Sequence, residues 1–276
     1  MFLRQDQVSD TMDIPYVLSD TITDTSTVIP PWLSQDVVES TSGTDWTLSN
    51  CCDEYEKLLI ALVPSYLFLI LLLWNTFLMK PMKLIAVFVH EMSHATACWL
   101  TCGKVEGIEV HLNEGGVTKY RGGWRWLIIP AGYCGGAFWG GFLVTMSGNR
   151  IAALVSSVVF CVAMLVSLRF SPNRTMVFLN LFFITLTVAF IVVDTMLDIV
   201  LTNYLTLFYG VFIGAFSVYD IYDDLITRTV EGSDAHACFK LIPCCLPRCV
   251  GLQFAVVALM FQALGLYFAL VWMTST

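Results

Sequence analysis

The sequence predicts an α-helical polytopic membrane protein with about seven transmembrane helices and a short β-hairpin. Hydrophobic residues make up 57% of the 276-residue chain and charged residues only 13%, and the mean hydropathy is +0.73. Soluble globular domains do not have this composition. Apolar runs long enough to cross the roughly 30 Å hydrocarbon core recur along the chain. A polar, glycine-rich stretch follows the second run, and its partial alternation of apolar and polar residues is typical of strands.

The N-terminal residues 1–56 differ from the rest of the chain. They contain one basic residue, Arg4, and eleven acidic ones, whereas residues 57–276 contain 13 basic and 11 acidic residues. We therefore expect a disordered acidic tail at 1–56 and a membrane-embedded domain at 57–276. The acidic excess offers no basic surface to a nucleic-acid partner. No apolar segment typical of a cleavable signal precedes the first long run, so that run is expected to serve as the signal anchor.

Seven apolar segments are predicted to span the bilayer. The second carries the chemistry described below (motif helix 84–101), and the sixth carries several carboxylates (204–226). The third contains glycines at G-xxx-G spacing, which favours close packing between helices. The predicted spans are Leu58–Met79, Leu84–Thr101, Trp124–Met146, Ile151–Leu168, Thr175–Leu201, Tyr204–Ile226 and Gly251–Met273.

Residues 103–123 predict a β-hairpin between the second and third spans. Apolar residues from Val105 to Leu112 alternate in part with polar ones, Asn113–Gly116 is turn-like, and Val117–Tyr120 can return as the second strand. Such a hairpin could hold an unwound substrate segment by strand addition, with Asn113, Gly115 and Gly116 as the binding residues. The alternative, a simple interfacial loop, remains open.

The distribution of Lys and Arg predicts a cytosolic N-terminus. With seven spans, ten of the 13 Lys and Arg residues from position 57 onward fall on the side of the N-terminus and three on the other, and cytosolic segments carry the excess of positive charge. The sequon at Asn173 would then face the cytosol and stay unmodified. Cys244 and Cys245 would be juxtamembrane candidates for S-acylation, with free thiols or a second metal site near His236 as alternatives.

The second span contains the motif His90-Glu91-Met92-Ser93-His94. On a helix, His90 and His94 lie four positions apart and project from one face at the spacing of two metal ligands. Glu91 lies where a general base for a metal-bound water belongs. Because ionisable groups are costly within a bilayer, they persist there mainly at functional sites. The motif therefore predicts a Zn²⁺ site within the membrane part.

A catalytic zinc site needs a third protein ligand, and carboxylates of the later spans are the candidates. Asp220, Asp223 and Asp224 share a face of the sixth span, and Asp220 is the deepest of them. We expect Asp220 to be the third ligand, with Asp224 as the alternative. A solvated helix end would explain the same three acids. Asp194 and Asp198 in the fifth span leave a structural or a polar-cavity role open.

The chain resembles the site-2-protease class of intramembrane zinc metallopeptidases, and most of all its B-like branch, found in plants, fungi and protists. The resemblance implies that His90 and His94 bind zinc and that Glu91 activates water. The N-x-x-P-x-x-x-x-D-G stretch that supplies the third ligand in better-studied members is absent, and a Tyr-Asp-Ile-Tyr-Asp-Asp segment occupies the equivalent late position. The resembling blocks are His90–His94, Thr101–Ile108, Asn113–Thr118, Arg121–Gly123, Pro130–Tyr133, Ser217–Asp224 and Ser233–Ala235.

The sequence therefore predicts a multi-pass zinc metalloendopeptidase of the bilayer that hydrolyses peptide bonds of membrane-spanning protein substrates. One alternative is a catalytically silent relative that binds membrane proteins without cutting them. Another is a metal transporter or sensor that uses the same ligands. A transporter is expected to show an internal repeat and polar residues along a path through several helices, and this sequence shows neither.

Overall fold

The computed structural model describes residues 46–48, 51–223, 233–241 and 246–274. Most of the predicted acidic tail lies outside the described residues, as do Asp224, Cys244 and Cys245. The helices of the described chain are α1 (Glu54–Leu73), α2 (Lys80–Leu100), α3 (Arg125–Ile128), α4 (Ala131–Met146), α5 (Arg150–Leu168), α6 (Arg174–Leu197), α7 (Leu201–Tyr222), α8 (Asp234–Leu241) and α9 (Pro247–Thr274), with a 3₁₀ turn at Phe77–Met79; the strands are β1 (Lys104–Val110) and β2 (Gly116–Arg121).

Five of the described helices are long and apolar enough to cross a membrane, namely α1, α5, α6, α7 and α9. The prediction of seven spans is therefore not confirmed, because α2 and α4 differ from the others. The polar groups of the motif and two lysines interrupt the apolar character of α2. The 16 residues of α4 cover only about 24 Å at 1.5 Å per residue. The chain turns at Pro130, so the predicted third span divides into α3 and α4.

Glycines allow α4 to pack directly on the backbones of its neighbours. A Cβ added at Gly140 would lie 2.8 Å from the backbone nitrogen of Gly214 in α7, and one added at Gly210 would lie 2.7 Å from the nitrogen of Val144. Real Cβ atoms do not approach so closely, so only glycine permits this contact. The close-packing interpretation of the glycine spacing is thus confirmed for the α4–α7 pair.

The predicted hairpin is present. β1 and β2 pair antiparallel, with Ile108 opposite Thr118 and an irregularity between Val105 and Gly107. The α5–α6 connection occupies the outer edge of β1: the Ile108 N–H donates to the Phe170 carbonyl at 3.0 Å, and the Asn173 side-chain amide donates to the Val110 carbonyl at 2.7 Å. The sheet is thereby fixed against the bundle on its β1 side, and β2 forms its other edge.

Candidate metal centre and active site

Helix α2 places the two motif histidines side by side. Pro81 stands at the start of the helix, where its missing N–H and fixed φ favour helix initiation. The apolar residues that follow are almost all buried against the bundle. The Nε2 atoms of His90 and His94 lie 3.2 Å apart. Both atoms therefore point to one spot, as the i, i+4 spacing predicts.

The third group at this spot is Asp234, the first residue of the short helix α8. Its Oδ2 atom lies 3.1 Å from the Nε2 atom of His90 and 3.1 Å from that of His94. Among the described residues, none gives this buried oxygen a hydrogen bond of ordinary geometry. Burial alone would raise the pKa of the Asp234 carboxyl, but the two neighbouring imidazoles hold that pKa well below its usual range.

The three atoms have the spacing that a metal ion requires. Zinc bound tetrahedrally at 2.0–2.1 Å places its donor atoms about 3.3 Å apart, and the observed separations are 3.1, 3.1 and 3.2 Å. Two imidazole nitrogens with a carboxylate oxygen are also a usual catalytic donor set for zinc. Gly132 in α4 keeps the space open, because a Cβ there would lie 2.5 Å or less from all three donor atoms. The residues present therefore fit a zinc ion.

The far side of each imidazole meets an oxygen atom. His94 Nδ1 lies 2.7 Å from the carbonyl oxygen of Ile128, to which it donates when the proton is on that nitrogen. His90 Nδ1 lies 3.7 Å from the Oδ2 atom of Asp220. Histidines that ligate metals typically make a second hydrogen bond that fixes the ring and leaves the other nitrogen for the metal. The contact between His94 and Ile128 has this geometry, whereas the separation of 3.7 Å between His90 and Asp220 is an ion-pair distance and longer than a hydrogen bond.

Asp220 therefore lies behind His90, whereas the sequence favoured it as the third ligand. Its Oδ2 atom faces the Nδ1 atom of His90, and the carboxylate between the two Nε2 atoms belongs to Asp234. The i, i+4 geometry of α2 directs the Nε2 atoms toward α4 and α8, and Asp220 in α7 is on the other side of the His90 ring. The alternative ligand, Asp224, lies outside the described residues. One signal in the sequence pointed to Asp234, namely the Ser233–Ala235 block of the family resemblance.

Glu91 is 7% exposed and touches the hairpin. The hydroxyl of Thr118 in β2 lies 2.6 Å from the Oε2 atom of Glu91, and a Cβ added at Gly116 would overlap the Glu91 carboxylate. A cavity of about 420 Å³ joins these elements. Of the three predicted substrate-binding residues, Gly115 and Gly116 line this cavity, while Asn113 is exposed in the turn before them. The cavity wall includes His90, Glu91, His94, Gly115, Gly116, Thr118, Asp220 and Asp234.

The other intramembrane acids are engaged in a separate ion-pair network. Asp194 is fully buried, and its Oδ1 atom lies 3.1 Å from Nη2 of Arg150. Its Oδ2 atom accepts a hydrogen bond of 2.7 Å from the backbone N–H of Thr202. Asp198 pairs with the same guanidinium at 2.6 Å. These contacts favour the structural role for Asp194 and Asp198.

Fold and site together define a class: a helical membrane protein with a histidine–aspartate cluster of metal-binding geometry next to a buried glutamate. The Peptidase M50B-like family model matches residues 63–265, which is most of the chain. The chain belongs to this family. No curated protein and no solved structure matches it. The family match and the five apolar helices indicate an integral membrane protein with a protease-type core.

Proposed function

We propose that this protein is a zinc-dependent metalloendopeptidase that hydrolyses peptide bonds of membrane-spanning proteins. The observation that carries the proposal is the triangle of donor atoms from His90, His94 and Asp234 with the Glu91 carboxylate beside it. Membership of the Peptidase M50B-like family supports the reaction class. The same membership and the apolar helices support a bilayer setting and a membrane-protein substrate.

In this proposal His90, His94 and Asp234 hold the metal, and Asp220 orients the His90 ring. When bound, zinc supplies Lewis acidity and lowers the pKa of water toward about 7. The Glu91 carboxylate accepts the proton of the attacking water and returns it to the leaving amine, as a general base and then a general acid. Burial of Glu91 among α2 and the hairpin excludes bulk water from this proton transfer.

The hairpin supports a mode of substrate binding. A membrane-spanning helix hides its carbonyls in its own hydrogen bonds, so a substrate must unwind before attack. The outer edge of β1 is occupied by Phe170 and Asn173, whereas β2 runs along the cavity from Gly116 to Tyr120. We propose that an unwound substrate segment pairs with β2 as a third strand, with Gly115 and Gly116 allowing the close approach of its backbone.

Glu91→Gln tests the hydrolytic mechanism. The amide keeps the size of the side chain but cannot accept the proton, so we expect cleavage to fall by a factor of about 10² or more. The assay uses detergent-purified protein and a panel of quenched-fluorescence peptides, each with one membrane-spanning helix. Zinc content, measured by atomic emission, should stay at the wild-type level.

The control is His94→Ala, which should lose both zinc and cleavage. Cleavage by the Glu91→Gln protein at the wild-type rate would contradict the mechanism. Zinc bound by the wild type without cleavage of any peptide, in the panel or in membranes of the source cell, would favour the catalytically silent alternative. Loss of zinc in Glu91→Gln would show that Glu91 is a ligand and not the base.

A further inference from the structure

The proposed general base is held by a residue from another element. Thr118 in β2 lies 27 residues beyond Glu91, and its Oγ1 atom is 2.6 Å from Glu91 Oε2 and 2.9 Å from the Glu91 carbonyl oxygen. A hydroxyl has one proton and can donate to only one of these acceptors at a time. The shorter contact, to the carboxylate, is the stronger because the acceptor is charged.

The second carboxylate oxygen is confined by a glycine of the same strand. Oε1 of Glu91 is the atom that a Cβ at Gly116 would meet first. Gly116 and Thr118 are two residues apart in β2, so they face the same side of the strand. One of them donates a hydrogen bond to the carboxylate, and the other leaves just enough room for it. Together they define a single orientation of the Glu91 side chain.

The hairpin is itself fixed at its turn and at its outer edge. Glu114, in the turn, pairs with the buried Lys83 of α2 at 3.3 Å, and the Lys83 ammonium lies 4.7 Å from the centre of the Trp74 ring. Lys83 precedes His90 by two helical turns. The bonds from Ile108 and Asn173 fix the opposite side of the sheet. Thr118 is thus presented to Glu91 by a strand with little freedom to move.

We infer that Thr118 is a positioning residue that orients the Glu91 carboxylate for proton transfer. Gly116 has no side chain and so leaves the space that this orientation needs. The inference rests on the proposed role of Glu91 as the general base. It adds a requirement that the motif helix alone does not contain: the base is oriented only when the hairpin is docked on α2. Proton transfer depends on the angle and distance of the accepting oxygen, so a carboxylate that rotates freely is a poorer base.

The test compares Thr118→Val, which has the same shape without the hydroxyl, with Thr118→Ser, which keeps the hydroxyl. We expect Thr118→Val to lower kcat by about tenfold or more with little change in KM, and Thr118→Ser to stay within about threefold of the wild type. Zinc content should be unchanged in both. Thr96→Val is the matched control, because Thr96 is in the same helix as Glu91 and its hydroxyl bonds only to the Met92 carbonyl in the contacts described; it should behave as the wild type.

A second measurement needs no catalysis. In the zinc-loaded protein, the thermal unfolding midpoints of the wild type, Thr118→Val, Glu91→Met and the double variant form a double-mutant cycle. If the hydroxyl and the carboxylate are bonded, the double variant shifts the midpoint by less than the sum of the two single shifts. Additive shifts would contradict the inference, as would equal kcat values for Thr118→Val and Thr118→Ser.

The two proposals fail in different ways. If Glu91→Gln cleaves as fast as the wild type, or if the wild type cleaves nothing, the proposed function fails and the role of Thr118 fails with it. If Glu91→Gln is inactive while Thr118→Val cleaves at the wild-type rate, only the positioning role fails.

Discussion

Two clusters of ionisable residues stand at opposite ends of α7, and they differ in how their charges are satisfied. Near the start of α7, Asp194 pairs with the Arg150 guanidinium and accepts a hydrogen bond from the Thr202 N–H, so both of its oxygens have donors. Near its end, Asp234 lies between two imidazoles, and its buried Oδ2 lacks a hydrogen bond of ordinary geometry from the described residues. The 22 residues of α7 cover roughly 33 Å at 1.5 Å per residue.

This difference separates a structural cluster from a candidate site. A buried carboxylate with a guanidinium and a backbone donor is stable as it stands, and it ties α5, α6 and α7 together. A buried oxygen facing two ring nitrogens, with open space kept by Gly132, has the arrangement of a cation site. Both clusters contain groups at i, i+4 spacing in the sequence, so spacing alone does not distinguish them; the available donors do.

The largest expected effect is at Gly132. Gly132→Ala places a methyl group among the three donor atoms, so we expect zinc binding and cleavage to be lost, with zinc content at background by atomic emission. Gly107→Ala is the matched control, because its Cβ would meet only the Phe170 carbonyl, at 3.7 Å. Full zinc content in Gly132→Ala would mean that the metal is not where the triangle of donors predicts.

Asp220→Asn is expected to have an intermediate effect. If Asp220 orients the His90 ring from outside the donor set, its loss should weaken zinc affinity by about 10–100-fold without abolishing binding. Asp234→Asn should weaken affinity far more. Competition with a chromophoric chelator measures both constants. The reverse order, with Asp220→Asn the more severe, would restore Asp220 as the third ligand.

The smallest effect on the metal is expected at the opposite end of α7. Asp194→Asn should leave zinc content unchanged and destabilise the fold by about 2 kcal/mol, less than for a fully buried pair because Arg150 is 37% exposed. A thermal shift in detergent measures this change. Asp198→Asn, whose side chain is 86% exposed, should have little effect on the midpoint. Zinc loss in Asp194→Asn would show that the two clusters are coupled.

The sequence predicted the parts of this site that lie close together in the chain. The i, i+4 histidines and the hairpin at 103–123 could be identified because local geometry determines them. The α2 and α4 spans were harder to predict, because the ends of α4 depend on where the chain turns at Pro130 and α2 combines polar chemistry with an apolar face. Their status as spans is not confirmed.

Asp234 could not be placed from the sequence by physical reasoning. It is 140 residues beyond His94 and begins a helix of only eight residues. Its position depends on the packing of α8 against α9 and against Tyr133 of α4. Gly132 removes the side chain that would otherwise intervene. The sequence favoured Asp220 as the third ligand because its depth within a long apolar helix can be inferred from the sequence. The direction in which the His90 ring points cannot be inferred in this way.

The most direct test of the metal centre is X-ray absorption at the zinc edge of the purified protein, with the Asp234→Ala variant beside it. The proposed centre predicts a first shell of nitrogen and oxygen atoms at about 2.0–2.1 Å, with the scattering of two imidazoles, and loss of this zinc in Asp234→Ala. A sulfur shell at about 2.3 Å, or an unchanged spectrum in Asp234→Ala, would contradict it.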